Sequence, residues 1–275
     1  MKMIPFTPQS MNLPFAPNGL DFDTIESIAS KHGFPIFKPN DRNGLNDNIN
    51  VNIWVIRNSN TTAGKFDDYE IQFWFDLNKR QWIYEAYTVT ADPSDIALEH
   101  PINPNGTAII AYGFHHLKWQ LGFHKGRTDH PALVQCDNLL VYRDANRDKI
   151  LDYPKFEMFK SEKDIIHGSP QILKVNGTNM FDYTLQQESL HIPKLILMYN
   201  DQGKQVFAME YGMFGINNHR ASAWHKLENV GLYSEGCIVH NDPVHYETFI
   251  GTNRRCSKFY GSKFSITVLP ISEFK

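Results

Sequence analysis

This chain has few cysteines, no long apolar run and no excess of positive charge. Each of these features excludes a class of protein. Three cysteines in 275 residues (Cys136, Cys237 and Cys256) are too few and too scattered for a disulfide framework. The 27 lysines and arginines stand against 30 acidic residues, a net charge of −3, which argues against a nucleic-acid binder with a broad basic surface. No run of about 18 apolar residues occurs, so the sequence predicts no membrane span.

The N-terminus also lacks the features of a secretion signal. Its first five residues, MKMIP, contain no uninterrupted apolar segment, so we expect a protein made in the cytoplasm without a signal peptide and folded in a reducing environment. Residues 1–19 hold four prolines and predict an extended proline-rich arm. No internal repeat and no convincing linker follows the arm, so residues 20–275 are predicted to form a single domain of catalytic type.

Short segments of alternating apolar and polar residues dominate the chain after residue 50. Segments 69–75 and 82–90 flank a polar turn and predict a β-hairpin. Many short strands and few helices predict a mainly β chain, a β-rich α+β fold built as a sandwich or a barrel. The predicted strands are 51–57, 69–75, 82–90, 107–112, 117–123, 132–142, 195–199, 205–211 and 263–269.

Two segments have the signals of helices. Residues 21–31 place apolar side chains on one face, and Gly33 would end that helix. Residues 243–250 follow Asp242, a good N-cap, and begin with a proline at the first helical position. Two of the three cysteines have no partner pattern. Cys136 is predicted on a buried strand and Cys256 in an exposed loop.

One segment carries the residue types of nucleophilic catalysis. His219 lies 18 residues before Cys237, which ends the string Ser234-Glu235-Gly236-Cys237. A cysteine nucleophile needs a neighbouring base, usually histidine, and Gly236 allows a sharp turn that exposes backbone N–H groups to an oxyanion. The alternative is a buried apolar cysteine beside an unrelated histidine, but such a cysteine would need neither the glycine nor the serine.

This string resembles the catalytic motif of the L,D-transpeptidases, a histidine followed by Ser-His-Gly-Cys. The match covers about 25 residues. A wider set of segments resembles a group of largely uncharacterised bacteriophage-encoded proteins with this signature, and these segments are 51–57, 122–126, 132–135 and 219–221. The resemblance implies an L,D-transpeptidase-like β-sandwich or barrel with a short helix after the catalytic cysteine. It also implies action on peptidoglycan stem peptides with no cofactor.

The resemblance implies a role for each motif residue. Cys237 would attack an acyl carbonyl, form a thioester and pass the acyl group to an amine or to water, with His219 as its base. Gly236 and Cys237 would supply oxyanion N–H groups, and Ser234 would shape the turn. The backbone carbonyl of Arg220 would orient the imidazole of His219.

Departures from the family's pattern point to an unusual substrate subsite. Glu235 stands where the family has its second histidine, and Arg220 where a glycine usually follows the first. On one strand Glu235 and Cys237 would face the same side, and the carboxylate would raise the pKa of the thiol. Arg220 would then pair with Glu235 or bind a substrate carboxylate. His124 either lines the same cleft or is a partly exposed strand histidine.

Two metal patterns are weaker. Four oxygen-bearing side chains occupy positions 1, 3, 5 and 9 of a calcium-loop pattern that lacks the glycine at position 6 and the glutamate at 12. They are Asp144, Asn146, Asp148 and Asp152. The alternative is a polar turn rich in Asp and Asn. Four histidines, none with the spacing of a zinc hydrolase site, are His115, His116, His124 and His130.

The sequence therefore predicts a cysteine-dependent enzyme that acts on peptidoglycan stem peptides. Hydrolysis at a D-amino-acid bond is preferred to L,D-transpeptidation, because a phage protein has to open the wall during lysis or entry. It would act at the bacterial cell wall, as an endolysin or carried in a virion. The alternative is a virion structural or attachment protein, in contact with other virion proteins, that keeps the fold but not the activity. The arm at 1–19 favours this alternative, and so would a buried Cys237.

Overall fold

The protein is mainly β. The structure, a computed structural model, describes residues 1–7, 13–39, 49–59, 62–144, 149–151, 195–199 and 205–274, and for 195–199 and 205–209 the course of the backbone. Thirteen strands and three α-helices lie in these ranges. The strands are β1 Ile4–Pro5, β2 Asn52–Arg57, β3 Asp68–Asp76, β4 Gln81–Thr90, β5 Ala108–Ile110, β6 Gly113–Phe123, β7 Pro131–Gln135, β8 Leu139–Arg143, β9 Leu195–Tyr199, β10 Gln205–Gly212, β11 Asn218–Arg220, β12 Ile238–His240 and β13 Lys263–Pro270. The helices are α1 Phe22–His32, α2 Asp95–Glu99 and α3 Pro243–Tyr260.

Eight strands close into a barrel. Their order is β4-β12-β11-β7-β6-β13-β2-β3, and β3 pairs with β4 along its whole length to complete the ring. Neighbours are antiparallel except for the parallel pairs β11–β12 and β13–β2. Strand β1 pairs parallel with part of β4, and a separate four-stranded sheet has the order β5-β8-β10-β9. The predicted mainly β class is confirmed, and the main sheet forms a barrel.

The β3–β4 hairpin follows the predicted alternation. Its turn is held by Asp76, whose Oδ1 accepts the amides of Asn78 at 2.9 Å and Lys79 at 3.0 Å. Both faces of β4 are largely buried. Outside the barrel wall, the Trp82 ring stacks on Phe22 of α1 with ring centroids 4.1 Å apart. Helix α1 therefore covers an apolar surface that the hairpin alone would leave exposed.

The described parts of the N-terminal arm lie against the barrel. Met3 and Leu13 are buried. The ring of Phe6 meets Trp74 edge-on at 5.2 Å, and β1 adds a short strand beside β4. Part of the arm's apolar surface is thus buried against this chain, while Ile4 and Phe6 stay 41% and 38% exposed.

Helix α1 matches its prediction to within one residue at each end. Asp21 caps it by accepting a backbone amide of the first turn, and Gly33 ends it with a left-handed φ of 68°. Ile25, Ile28 and Ala29 are buried, at the helical spacing that the sequence showed. Residues next to the helix therefore determine where it begins and where it ends.

Helix α3 begins at its predicted cap, Asp242, but is not short, since it runs ten residues past the predicted end at 250. The predicted end is wrong because Phe249, Asn253 and Cys256 continue its buried face. Cys256 is therefore a buried helical residue and not an exposed loop residue. Helix α2 was not predicted, because five residues are too few for a periodic pattern. Among the described residues no helix is long and apolar enough to cross a membrane.

The segment predicted as one strand over 132–142 is two strands in different sheets. Strand β7 belongs to the barrel and β8 to the four-stranded sheet, with a corner between them. Asp137 occupies the corner, where its carboxylate accepts the amide of Asn138 at 2.7 Å and pairs with Lys118 at 2.9 Å. Cys136 lies in this corner and is half-buried, so its placement on a buried strand is wrong. An alternation of apolar residues continues unchanged through such a corner, which is why the sequence does not reveal it.

A buried polar network lies beneath α3 on one face of β3, β11 and β12. Glu70 Oε2 lies 2.7 Å from His240 Nε2, and Asn218 Nδ2 donates to Glu70 Oε1 at 2.6 Å. All three side chains are at most 1% exposed. The rings of Tyr246 and Phe249 each lie 4.8 Å from the His240 ring. The network ties β3 to β11 and β12 and sets the register of the two short strands.

Glu70→Ala is expected to lower the free energy of unfolding by about 3 kcal/mol, because it leaves the buried His240 and Asn218 without their partner. Urea denaturation measures the loss. Glu26→Ala, at an exposed position of α1, is the control and should stay within about 0.5 kcal/mol of wild type. A Glu70→Ala loss as small as that of the control would show that the network does not hold these strands.

Candidate active site

Cys237 lies in the turn that leads into β12. The sequence predicted Glu235 and Cys237 on one strand, but both come before the strand, and Gly236 turns the chain between them with a φ of 109°. A side chain at Gly236 would collide with the backbone carbonyl of Ala108 in β5. Position 236 is therefore restricted to glycine by its dihedral angle and by the close approach of the second sheet.

Ser234 holds this turn together. Its hydroxyl lies 2.8 Å from the carbonyl of Asp92 and 3.0 Å from that of Cys237, and it accepts the Gly236 amide at 3.2 Å. Its own carbonyl accepts the amide of Ser94 at 2.9 Å. These contacts agree with a turn-shaping role for Ser234. They conflict with the use of Gly236 as an oxyanion donor, because its N–H is already bonded, so the Cys237 amide is the better candidate.

Strands β11 and β12 place His219 and Cys237 on one face. His219 lies opposite Val239 in the parallel pair, and the Asn217 amide donates to Cys237 Sγ at 3.4 Å. Cys237, Val239 and Ala221 form a small apolar cluster, so alternate residues of the two strands share this face. Cys237 precedes Val239 by two residues and comes directly before β12. His219 and Cys237, which the sequence spacing paired, thus lie on the same face of neighbouring segments.

The imidazole of His219 is oriented as a base. Nδ1 lies 2.8 Å from the Arg220 carbonyl, the contact that the family resemblance implied. A carbonyl only accepts, so Nδ1 carries the proton and Nε2 keeps its lone pair. Nε2 is buried and has no hydrogen-bond partner among the described residues, an uncommon state for a buried polar atom. A nitrogen of this kind can accept the proton of a thiol.

Gln135, at the end of β7, holds the segment that leads into β11. Its Oε1 accepts the amides of Phe214 and Ile216, each at 3.0 Å. The backbone amide of Gln135 donates to Asn217 Oδ1 at 3.0 Å. This clamp positions the Asn217 amide that contacts the sulfur of Cys237. No sequence signal points to this role, because a glutamine at a strand end has no characteristic spacing from a candidate nucleophile 102 residues away.

Two more histidines reach the site from the connection between β6 and β7. His124 stacks on His219 with ring centroids 3.9 Å apart and 26° between the planes, and its Nδ1 lies 3.1 Å from Asn217 Nδ2. His130 lies edge-on to His219 at 5.3 Å and its Nε2 lies 3.1 Å from the Arg220 carbonyl. Of the two interpretations of His124, the structure favours the one in which it lies beside the candidate site, because its ring stacks on His219. His130 was not predicted as a site residue, although it stands in the same short segment.

Burial keeps Cys237 and His219 uncharged. Desolvation raises the pKa of Cys237 to about 11, and the nearby carboxylate of Glu235 adds to the rise. Desolvation also lowers the pKa of His219 well below its usual value, and that of His124 to about 4. At neutral pH the site therefore holds a thiol and a neutral imidazole instead of a thiolate–imidazolium pair. The thiol, 9% exposed, stays unreactive until a base removes its proton.

Glu235 and Arg220 do not form the predicted ion pair. Glu235 is exposed and lines a cavity of about 290 Å³ beside the turn. Arg220 donates to Glu247 of α3 at 2.9 Å and to the Asp129 carbonyl at 2.6 Å. The predicted ion pair between Glu235 and Arg220 is wrong. It assumed that Glu235 lies on a continuous strand with Cys237, and the turn at Gly236 interrupts that strand. Binding of a substrate carboxylate by Arg220 stays a prediction.

The site histidines lack the geometry of a metal centre. Among the described residues no group of three or more His, Cys, Asp or Glu side chains is placed to hold a metal ion. His124 and His219 stack face to face, so their in-plane lone pairs do not converge on one point. The stacked arrangement instead suits a cluster of neutral rings around a base.

The calcium-loop pattern falls largely outside the described residues, which include none of Asn146, Asp148 and Asp152. Asp144, which follows β8, is buried. Its Oδ2 accepts the amide of Lys149 at 3.3 Å, as in the polar turn that was the alternative interpretation.

Gly236→Ala is expected to destabilise the protein by about 2 kcal/mol or more, because the left-handed φ and the Ala108 carbonyl both oppose a methyl group. Gly231→Ala is the matched control. Gly231 also has a positive φ, of 53°, but nothing lies within 4 Å of an added Cβ. Because both variants have a positive φ, the difference between their Tm values in thermal denaturation measures the effect of the contact with the Ala108 carbonyl. Equal Tm values would contradict that effect.

The neutral His124 predicts a loss of stability in acid. Its native pKa is about 4 against an ordinary value of 6.5, so the unfolded chain binds more protons between these values. This contribution is fully present above about pH 6.5 and falls as the pH drops towards 4. The urea midpoint of His124→Gln should therefore decline less between pH 7 and 4 than that of wild type. An identical decline in both proteins would contradict a desolvated His124.

The likeness to the L,D-transpeptidases rests on the motif residues around Cys237. No family model, no curated protein and no solved structure matches this chain. The motif residues His219, Ser234, Gly236 and Cys237 nevertheless form one local arrangement, at the junction of the barrel with the second sheet.

Proposed function

We propose that the protein is a cysteine-dependent acyl-transfer enzyme, with Cys237 as the nucleophile and His219 as its base. One observation carries the proposal. Nε2 of His219 is buried without a hydrogen-bond partner among the described residues, on the strand face shared with Cys237, while the Arg220 carbonyl holds Nδ1. The structural His240 also has one buried ring nitrogen without a partner among the described residues, so what distinguishes His219 is that it shares its strand face with Cys237.

The reaction starts from neutral groups. Nε2 of His219 takes the proton of the Cys237 thiol as the sulfur attacks the substrate carbonyl, which gives a tetrahedral oxyanion and an imidazolium. The Cys237 amide stabilises the oxyanion, and the Asn217 amide stabilises charge on the sulfur. Collapse breaks the carbon–nitrogen bond, and the imidazolium gives its proton to the leaving amine. Water, deprotonated by the same imidazole, then hydrolyses the thioester and restores the thiol.

Peptidoglycan stem peptides are the proposed substrates. The turn that Ser234 shapes before Cys237 is a feature that the L,D-transpeptidase resemblance implies, and a β-rich barrel is compatible with that catalytic fold, although the helix after Cys237 is longer than the resemblance implied. Hydrolysis at a D-amino-acid bond is preferred to L,D-transpeptidation, on the resemblance to bacteriophage-encoded proteins. The protein would act at the bacterial cell wall, released at lysis or carried in a virion, and this mechanism uses no cofactor.

Digestion of purified sacculi tests the proposal. Wild type is expected to release soluble muropeptides with new amino groups, seen by chromatography and mass spectrometry. Cys237→Ala and His219→Ala should each lose about 10³-fold or more of this activity, because each removes one member of the reacting pair. Cys136→Ala, a half-buried cysteine in the corner after β7, is the control and should keep it. Equal release of muropeptides by wild type and Cys237→Ala would contradict the proposal.

A virion structural or attachment protein is the second candidate, favoured by the burial of Cys237 and the raised pKa of its thiol. The N-terminal arm gives this candidate weaker support, since the described parts of the arm pack on this chain's own barrel. This candidate predicts no muropeptide release by wild type. It also predicts that iodoacetamide modifies Cys237 at the same rate in wild type and His219→Ala, whereas a base at His219 predicts slower modification in the variant.

A further inference from the structure

Two imidazoles share the backbone carbonyl of Arg220. Nδ1 of His219 lies 2.8 Å from this oxygen, and Nε2 of His130 lies 3.1 Å from it. A carbonyl oxygen has two lone pairs, so it accepts both N–H groups at once, and His130 then carries its proton on Nε2. The oxygen that orients the proposed base is thus also held by a second histidine.

The neighbouring strand cannot supply this second donor from its backbone. Strands β7 and β11 are antiparallel and pair at Leu133 and Asn218. Two residues further along this register Pro131 stands opposite Arg220, and a proline has no N–H to donate. The ring of His130, the residue before the proline, donates to the Arg220 carbonyl instead.

The side chain of Arg220 holds the segment that carries His130. Its guanidinium donates to the Asp129 carbonyl at 2.6 Å and to the Glu247 carboxylate of α3 at 2.9 Å. His130 is therefore fixed twice by one residue, through the carbonyl that precedes it in the chain and through its own ring. A glycine at position 220, which the transpeptidase motif has, would provide only the second contact.

The titratable and charged groups around His219 are three histidines and one arginine. His124 and His130 face its ring from the connection between β6 and β7. Arg220 follows it in β11, and His240 lies on the neighbouring strand β12. Burial lowers the pKa of His219 most, and the three histidines lower it further, while the contact with the Arg220 carbonyl raises it. The strength of the carbonyl contact therefore influences how readily this ring takes a proton.

His130 is an uncharged donor at neutral pH. Its ring is half-buried, lies 5.0 Å from the His124 ring and is flanked by Arg127, Asp129 and Arg220. Burial lowers the pKa of His130 and the charges of the two arginines lower it further, while the Arg220 carbonyl and the Asp129 carboxylate oppose the lowering. A neutral imidazole has one N–H, and the Arg220 carbonyl accepts it.

We propose that His130 is a positioning residue for His219 and acts through the Arg220 carbonyl that the two rings share. Its N–H fixes the direction of the carbonyl, and because both donors use one oxygen, it weakens the bond that would stabilise an imidazolium at His219. His130 thus keeps Nε2 of His219 able to accept a proton in mildly acidic solution. The consequence for turnover rests on the proposed function, whereas the shared carbonyl does not.

The ring nitrogens of the wild-type protein test the shared carbonyl without any variant. Nitrogen-15 NMR at pH 7, with His130→Gln and His219→Ala to assign the signals, is expected to show His219 protonated on Nδ1 and His130 protonated on Nε2. A His130 protonated on Nδ1 would have no N–H for the Arg220 carbonyl, and this result would overturn the proposal.

The pKa of His219 in two variants tests the effect of the second donor. His130→Leu removes the donor and should raise the pKa of His219 by about half a pH unit, obtained from the imidazolium fraction between pH 8 and 5. His130→Gln restores a side-chain N–H near the place of Nε2 and should reverse at least half of that rise. His225→Leu, at an exposed histidine between β11 and β12, is the control and should leave the pKa of His219 unchanged. An unchanged pKa in His130→Leu, or the same rise in both His130 variants, contradicts the positioning role.

Alkylation of Cys237 by iodoacetamide separates this role from the proposed function. With His219 as the base, the acid limb of the pH profile should move to higher pH by the same half unit in His130→Leu and return towards wild type in His130→Gln. A risen His219 pKa without any change in the alkylation profile keeps the positioning role and overturns His219 as the base. Alkylation that depends on His219 but not on His130 keeps the base and overturns the positioning role.

Discussion

The buried contact of Glu70 with His240 and Asn218 holds β11 and β12 together, and the candidate site depends on that pair of strands. Each strand has three residues, too few to pair stably by backbone hydrogen bonds alone. Helix α3 shields the network from water and so strengthens its electrostatics. The opposite face of the same strands carries His219 and the cluster of Cys237. A network that lies on the far face of the sheet therefore sets the geometry of the reacting groups.

Burial decides the chemistry that this geometry can perform. The thiol and the imidazole are both taken out of water, and each resists the charge that an ion pair would need. His124 extends this neutral environment by stacking on His219. Charged groups lie around the site, with Arg220 bound to Glu247 and Glu235 at the neighbouring cavity. The thiol and the imidazole of the candidate site are therefore neutral, and charged side chains lie around them.

Parts of this arrangement could be predicted from the sequence because they depend on neighbouring residues. Asp21 and Gly33 delimit α1 by local hydrogen bonding, and the alternation over 69–90 predicts a hairpin whose polar turn favours the same register. The placement of His219 and Cys237 on neighbouring segments was also predictable, since 18 residues allow the chain to leave one strand and return beside it. The absence of an ion pair between Glu235 and Arg220 was not, because Arg220 is bonded to Glu247 and to the Asp129 carbonyl, which lie far from it in the sequence.

The sequence by itself determined the mainly β class, the caps of α1, the start of α3 and the candidate nucleophile and base. Those features follow from side-chain periodicity, capping and chemical type, which act over a few residues. Only the tertiary structure decided that β7 and β8 belong to different sheets and that His124, His130 and Gln135 converge on His219 and Asn217. These contacts join segments about 80 to 95 residues apart. Closure of the barrel brings them together, and no local pattern along the chain encodes which distant strands will become neighbours.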